Sequence, residues 1–153
     1  LWIEIAKDDL LSVMKRVELI IINDGEVRML AQDENLIRAS RTLIEMVGCQ
    51  TLIVKKGENG VVAFHNGEII SLPAYPTEKV VDPTGCGDSF AGTIAAFLAS
   101  NDGTLTREEL REALIRATVT ASFTLESFGT SGLLALDNEM FNSRMVEFET
   151  ILS

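Results

Sequence analysis

Two glycines bracket a cysteine in Asp82-Pro83-Thr84-Gly85-Cys86-Gly87-Asp88, just ahead of a stretch with helical periodicity. Small residues where a helix begins let backbone N–H groups converge on an anion with no side chain in the way. The first-turn N–H groups have no partner inside the helix, and the aligned peptide dipoles add positive potential there. Gly85, Cys86 and Gly87 are therefore expected to form an anion hole. Asp88 follows in the first turn, facing whatever the hole binds. A carboxylate beside a bound anion is repelled by it, and its placement is explained if it takes a proton from an attacking hydroxyl. The competing reading is that Asp88 only complements the helix dipole. Cys86 is expected to act through its backbone N–H, with a thiol activated by the helix N-terminus as the secondary reading.

The elements that must hold these residues follow from periodicity. Asp8 or Asp9 is expected to start a short helix with Leu10, Leu11, Met14 and Val17 on one side. Residues 18–22 read as a strand, apolar from Leu19 to Ile22 as expected where helices cover both sheet faces, and Asn23-Asp24-Gly25 ends it. Asp33 reads as the N-cap of a helix carrying Leu36, Ile37, Leu43, Ile44 and Val47, closed by Gly48. Residues 51–55 form the next strand, and the strand–helix–strand order predicts a right-handed crossover in a parallel sheet. His65-Asn66-Gly67 lies between two β-prone runs and predicts a hairpin. His65 has no Ser, Cys or metal-ligand partner at motif spacing. A helix should run from the Gly-rich segment to about Ala99, packing Phe90, Ile94, Phe97 and Leu98. Thr106 with Glu109 predicts a capping box, and the helix behind it is expected to end at Gly129. A last helix starts at Asp137 or Asn138, with Phe141, Met145, Phe148 and Leu152 along one stripe. The fold class is α/β: a mostly parallel sheet flanked by helices, with a small β-hairpin.

Composition narrows the field. The chain has 153 residues, 46% of them hydrophobic, which suits one packed unit with a sizeable core. Its net charge of −10 argues against nucleic acid and anionic membrane as partners, yet a helix N-terminus binds phosphate even in an acidic protein. No apolar run is long enough to span a bilayer. The two cysteines, Cys49 and Cys86, lack metal-type spacing and fit a reducing cytoplasm, with Cys49 expected to pack. No G-x-x-x-x-G-K-[ST] run is present, which excludes a P-loop. The opening Leu1-Trp2-Ile3-Glu4-Ile5 reads as the end of a buried segment whose upstream part is missing.

Taken together, residues 82–92 resemble the signature of the ribokinase-like (PfkB) family of carbohydrate and nucleoside kinases, a D-T-x-G-A-G-D-x-F-x-G-like run. Asp82, Thr84, Gly85, Gly87, Asp88, Phe90 and Gly92 fit it, and Cys86 stands where Ala is usual. The resemblance implies that Asp88 activates an acceptor hydroxyl and that the Gly85, Cys86 and Gly87 N–H groups stabilise a transferring phosphoryl group. Asn23-Asp24-Gly25-Glu26 resembles the family's N-x-x-E motif, in which Glu26 would help place Mg²⁺ through water and Asn23 would lie near the nucleotide phosphates. By itself that run reads as a turn. Lys55-Lys56-Gly57-Glu58-Asn59-Gly60 is similar to a T-x-G-x-x-G-like turn bordering the ATP phosphates. Gly57 and Gly60 fit, while Lys55 replaces the Thr, either as a point charge for a phosphate or as a solvated strand end. Thr118, Ala121 and Ser122 would line the adenine pocket by the same resemblance. Asp82, the Thr84 carbonyl and the Gly129–Gly132 loop resemble the K⁺ site of some members.

The implied chain is therefore one α/β nucleotide-binding and catalytic portion, residues 1–153, of a larger kinase domain whose lid-bearing half is absent. Its implied activity is ATP-dependent phosphorylation of a primary hydroxyl on a sugar or nucleoside, in the cytoplasm, with a homodimer among the assemblies left open. The variants at Lys55–Glu58 and Asp82–Thr84 look more like nucleoside-kinase branches. Two alternatives remain: a non-catalytic nucleotide-binding module of this fold, and a kinase for a hydroxymethyl vitamin-like heterocycle.

Overall fold

The computed structural model describes residues 2–101 and 105–153. Leu1 lies outside the described residues. The chain divides into two compact units, Leu1–Ser71 and Leu72–Ser153.

In the first unit, α1 (Trp2–Ile5) and α2 (Lys7–Met14) precede β1 (Leu19–Asn23). The N-terminal run is helical, with Ile3 packed against the core and Ile5 65% exposed. Ala6, not Asp8 or Asp9, is the N-cap of α2, and both acids lie in its first turn. Two helices, α3 (Asp24–Ala31) and α4 (Leu36–Val47), carry the chain to β2 (Thr51–Lys55). A short 3₁₀ turn (Gly57–Asn59) leads to β3 (Val61–His65) and β4 (Glu68–Leu72). The sheet order is β1-β2-β3-β4. β1 and β2 are parallel, with Leu19 opposite Thr51 and Asn23 opposite Lys55. β2 and β3 are antiparallel, with Thr51 opposite His65. The α/β class holds, and the sheet is mixed. Asn66 and Gly67 have φ of 49° and 83°, the positive pair that a two-residue type I′ hairpin demands.

Because side chains alternate along a strand, β1 has two different faces. Ile20 and Ile22 join Val27, Leu30, Leu43, Leu52, Val54 and Phe64 in one core cluster. Leu19 and Ile21, on the other face, are only partly buried, while Ile53 beside Ile21 is fully buried, so the second face is covered more completely at β2 than at the edge strand β1. Helix α3 falls where a turn and loop were expected. Asp33 does not cap α4: Asn35 does, accepting from the Arg38 N–H at 3.0 Å. Asp33 instead accepts from the Asn35 N–H at 2.8 Å and pairs with the Arg38 guanidinium.

The second unit is helical. α5 (Cys86–Ser100), α7 (Ser131–Leu134) and α8 (Asn138–Leu152) all pack on α6 (Arg107–Leu125), which is buried on most sides. Thr106 and Glu109 form the expected capping box. α6 stops at Leu125, short of Gly129. The Leu125 carbonyl, which a longer helix would offer to the Gly129 N–H, accepts from Val81 and Asp82 at 2.9 and 3.2 Å instead. A Cβ on Gly132 would run into Ser127 Oγ and the Phe123 carbonyl, so α7 sits tight on the last turn of α6. Among the described residues, no helix is long and apolar enough to cross a membrane.

Candidate functional site

The Gly-rich segment folds as a turn feeding a helix. Asp82 Oδ1 accepts from the Thr84 N–H at 2.9 Å. Hydrogen bonds from the Thr84 backbone and side chain hold the Asp82 carboxyl below its ordinary range. The Cys86 N–H donates to the Pro83 carbonyl at 3.2 Å across a turn whose third residue, Gly85, has φ 86° and ψ −8°. These are the angles of a type II turn, which favours glycine there. The first bond of α5 runs from Ser89 N–H to the Gly85 carbonyl at 2.9 Å. The N–H groups of Gly85, Gly87 and Asp88 consequently have no acceptor among the described residues. The donors left unpaired at this helix start are thus Gly85, Gly87 and Asp88. The Cys86 N–H, expected among them, is engaged by its own turn.

The Cys86 side chain is also engaged. Its Sγ lies 3.6 Å from the Ala121 carbonyl on α6. Burial, and then the negative charge of Asp82, push its thiol above the ordinary value. The dipole-activated thiol is therefore not what this environment produces. Thr124 Oγ1 donates to Ser89 Oγ at 2.9 Å, which fixes the first turn of α5 against α6.

Besides the one-turn α1, four helices carry an acid at their third residue, Asp9 in α2, Glu26 in α3, Asp88 in α5 and Glu109 in α6, and they differ. In α3, Glu26 folds back to accept from the Asn23 N–H at 3.0 Å, while Asn23 Oδ1 accepts from the Glu26 N–H at 2.8 Å. In α6, Glu109 does the same with Thr106. In α2 and α5 the N-caps are Ala6 and Gly85, neither of which can reciprocate, and Asp9 is exposed as Asp88 is. Of these two, only α5 begins with glycines, at 85 and 87. The Asp88 carboxylate is exposed and has no hydrogen-bond or ion-pair partner among the described residues.

In the first unit, the parallel register sets Asn23 beside Lys55 at the C-terminal ends of β1 and β2. That end of parallel strands is where α/β folds bind ligands. The Asn23–Glu26 capping box and the Lys55–Gly60 turn are thereby brought together. Gly57 and Gly60 have φ of 56° and 82°, and the Lys56 N–H donates to the Gly60 carbonyl at 2.7 Å. Lys55 has no partner among the described residues. Glu26 engages Oε2 in its capping box, leaving Oε1. Among the described residues no group of three or more His, Cys, Asp or Glu gathers to hold a metal. One carboxylate oxygen still suits Mg²⁺, which keeps most of its waters and shares substrate phosphates.

Thr118 and Ser122 are buried in α6. Thr118 donates to the Leu114 carbonyl at 2.8 Å and Ser122 to the Val119 carbonyl at 2.6 Å. Ser122 Oγ also accepts from Arg144 at 2.9 Å. Arg144 was not anticipated from the sequence. It makes a two-pronged pair with Glu126, at 3.1 and 2.9 Å, and lies 3.7 Å from the Phe123 ring centre. The available signal was a charged residue inside the apolar stripe of the last helix.

Comparison with known proteins identifies the family and the fold. The family model described as pfkB family carbohydrate kinase matches residues 1–135. A cytidine kinase of Thermococcus kodakarensis is 36% identical over 95 residues, 61% of this chain and 32% of its own. Fructokinase-2 of Oryza sativa is 34% identical over 110 residues, 71% of this chain and 32% of its own. The crystal structure of aminoimidazole riboside kinase from Salmonella enterica, complexed with aminoimidazole riboside and an ATP analogue, superposes with a TM-score of 0.77 at 22% identity. That match covers 91% of this chain and 47% of the other. The chain thus spans about a third of the length of these two curated relatives.

Proposed function

Because the chain belongs to the pfkB family of carbohydrate kinases, we propose that it carries the nucleotide-binding and catalytic portion of an ATP-dependent kinase acting on a hydroxyl of a sugar or nucleoside. The observation that supports this reading is the start of α5, where a glycine N-cap in a type II turn and a second glycine at position 87 precede the exposed Asp88. Glu26 and Glu109 are absorbed by capping boxes, whereas the Asp88 carboxylate has no partner among the described residues and stands beside the unpaired N–H groups of Gly85, Gly87 and Asp88, with no side chain at 85 or 87 to shield them. A base needs its lone pairs available, and an oxyanion needs donors aimed outward and already in place.

In this reading the acceptor hydroxyl approaches Asp88, which removes its proton as the oxygen attacks the terminal phosphoryl group of ATP and the bond to the bridging oxygen breaks to release ADP. The N–H groups of Gly85, Gly87 and Asp88, with the dipole of α5, take up charge on the phosphoryl oxygens. Asn23, Lys55 and the Gly57–Gly60 turn border the nucleotide phosphates from the ends of β1 and β2. Glu26 Oε1 would hold Mg²⁺ through water, and the ion, when bound, supplies charge neutralisation across the phosphates. Asp82 Oδ2 with the Thr84 carbonyl is the proposed share of a K⁺ site. The relatives named above act, by name, on a nucleoside in one case and a hexose in the other, so both acceptor classes stay within the proposal.

The decisive experiment is Asp88→Asn in the full-length protein, assayed by ADP formation across a panel of sugars and nucleosides. General-base removal should lower kcat by roughly 10²–10⁴-fold while ATP affinity stays near the parent's. A variant retaining near-parental kcat would end the base assignment. A parent protein that binds ATP but turns over no member of the panel would favour the non-catalytic module.

A further inference from the structure

We propose that Arg144, on α8 and outside the matched residues 1–135, is a positioning residue for the Asp82–Asp88 segment. The inference rests on the kinase reading above for its functional consequence, and on geometry alone for the positioning itself.

The geometry forms a short chain of contacts. The Arg144 guanidinium holds Glu126 through two hydrogen bonds, at 3.1 and 2.9 Å, and Ser122 Oγ at 2.9 Å. It is layered between aromatic rings, 3.7 Å from the centre of Phe123 and 4.8 Å from that of Tyr75. Both members of the ion pair are 18% exposed, so water competes weakly for it. Ser122, Phe123 and Glu126 are the last turn of α6 and its C-cap. Leu125, between Phe123 and Glu126 in that turn, offers the carbonyl that accepts from both Val81 and Asp82. Glu126 also accepts from Thr77 Oγ1 at 2.8 Å, and Thr77 Oγ1 accepts from the Lys79 N–H at 3.1 Å. Two attachments therefore fix the strand of chain entering the Gly-rich turn. One passes through Glu126 to Thr77 and Lys79, the other through Leu125 to Val81 and Asp82. Arg144 holds the first directly through Glu126, and the second through the α6 turn that carries both Leu125 and Arg144's partners Ser122 and Phe123.

The residue type matters. A planar fork can satisfy two carboxylate oxygens and a hydroxyl while stacking on a ring, and a lysine ammonium cannot do all of these. Asp82 in turn sets Thr84, and the turn from Pro83 to Cys86 sets where the Gly87 and Asp88 N–H groups point. Loosening the last turn of α6 should therefore loosen the phosphate-facing donors without touching any reacting atom.

The test compares the parent with Arg144→Met and Arg144→Lys in the full-length protein. Amide hydrogen exchange is read at Val81 and Asp82, with Ile94 and Leu114 as internal references, alongside KM for ATP and KM for the acceptor. Positioning predicts that exchange at Val81 and Asp82 accelerates at least about tenfold while the references hold. It also predicts that KM for ATP rises about tenfold with acceptor KM little changed, Arg144→Lys falling between parent and Arg144→Met. Unchanged exchange at Val81 and Asp82 overturns the proposal. Accelerated exchange with unchanged ATP affinity overturns it too, because the contacts would then be structural only. Should Arg144→Met fail to fold, Arg144→Lys alone decides by the same readouts. A parent that does not bind ATP refutes the kinase reading separately, and the exchange rates still decide whether Arg144 positions the segment.

Discussion

Replacing Gly85 by alanine separates backbone conformation from space at the heart of the site. Gly85 has φ 86°, in the left-handed region. A Cβ built there meets only Thr124 Cγ2, at 3.6 Å, an ordinary contact. Steric overlap therefore contributes nothing, and the penalty is the left-handed conformation itself, about 1–2 kcal/mol for a residue with a Cβ. For a domain of this size that corresponds to a drop in Tm of roughly 2–8 °C. The alternative response is for the turn to relax, breaking the Cys86 to Pro83 bond and turning the Gly87 and Asp88 N–H groups. Gly92 is the control. It lies in the interior of α5, and an added methyl group there would meet nothing within 4 Å. Alanine there should stabilise by up to about 1 kcal/mol, since glycine is the weaker helix former. Thermal unfolding of the parent, Gly85→Ala and Gly92→Ala, with ATP titration of each, reads both responses. Gly85→Ala should lose stability, phosphate affinity or both; Gly92→Ala should gain stability. A Gly85→Ala protein with parental Tm and parental ATP affinity would refute the reasoning, because neither strain nor relaxation would then have occurred.

The remaining expectations concern ionisation. The Cys86 thiol, raised by burial and by Asp82, should alkylate slowly near neutral pH and speed up only above its ordinary value of 9.0. Rapid iodoacetamide labelling at about pH 7 would contradict that. Burial alone would raise the Glu126 carboxyl, but the hydrogen bonds from Arg144 and Thr77 outweigh it and leave the group below its ordinary 4.5. A depressed carboxylate stabilises the fold above its unfolded value and loses that contribution as pH falls through the folded value. The stability difference between parent and Glu126→Gln, measured by urea unfolding, should therefore be constant near neutrality and shrink below about pH 4.5. A difference that grows on acidification would reverse the assignment.

Much of the fold is written locally. The stripe Phe141, Met145, Phe148 and Leu152 is the inward face of α8, and Phe148 is fully buried. The Asn66–Gly67 hairpin and the Thr106–Glu109 box are both where their residue types put them. What local pattern does not reveal has two causes. Helix α3 hides because Asn23 ends β1 and caps the helix at once, so no loop separates them. The end of α6 hides because its cause is distant in sequence: Val81 and Asp82 take the carbonyl that Gly129 would otherwise use. Arg144 belongs to the same class, since its partners Ser122 and Glu126 lie 22 and 18 residues away.

The site itself was more legible than a first-turn acid suggests. Charge near a helix N-terminus does not distinguish Glu26, Asp88 and Glu109, because each complements the same dipole. The residue three positions earlier separates Glu26 and Glu109 from Asp88, although Ala6 before Asp9 in α2 lacks a capping side chain just as Gly85 does. Asn23 and Thr106 carry side chains that accept from the third helical N–H, and the glutamate at that position is long enough to reach back. Gly85 offers no such acceptor, and aspartate is one methylene shorter than glutamate. At Gly85 and Asp88 both halves of a capping box are missing, as at Ala6 and Asp9, and what sets α5 apart is glycine at 85 and 87, which leaves its unpaired N–H groups without side chains in the way. A helix start of this kind gives up local stability for available hydrogen-bonding groups, and those groups are of the two types that moving a proton and an anion requires.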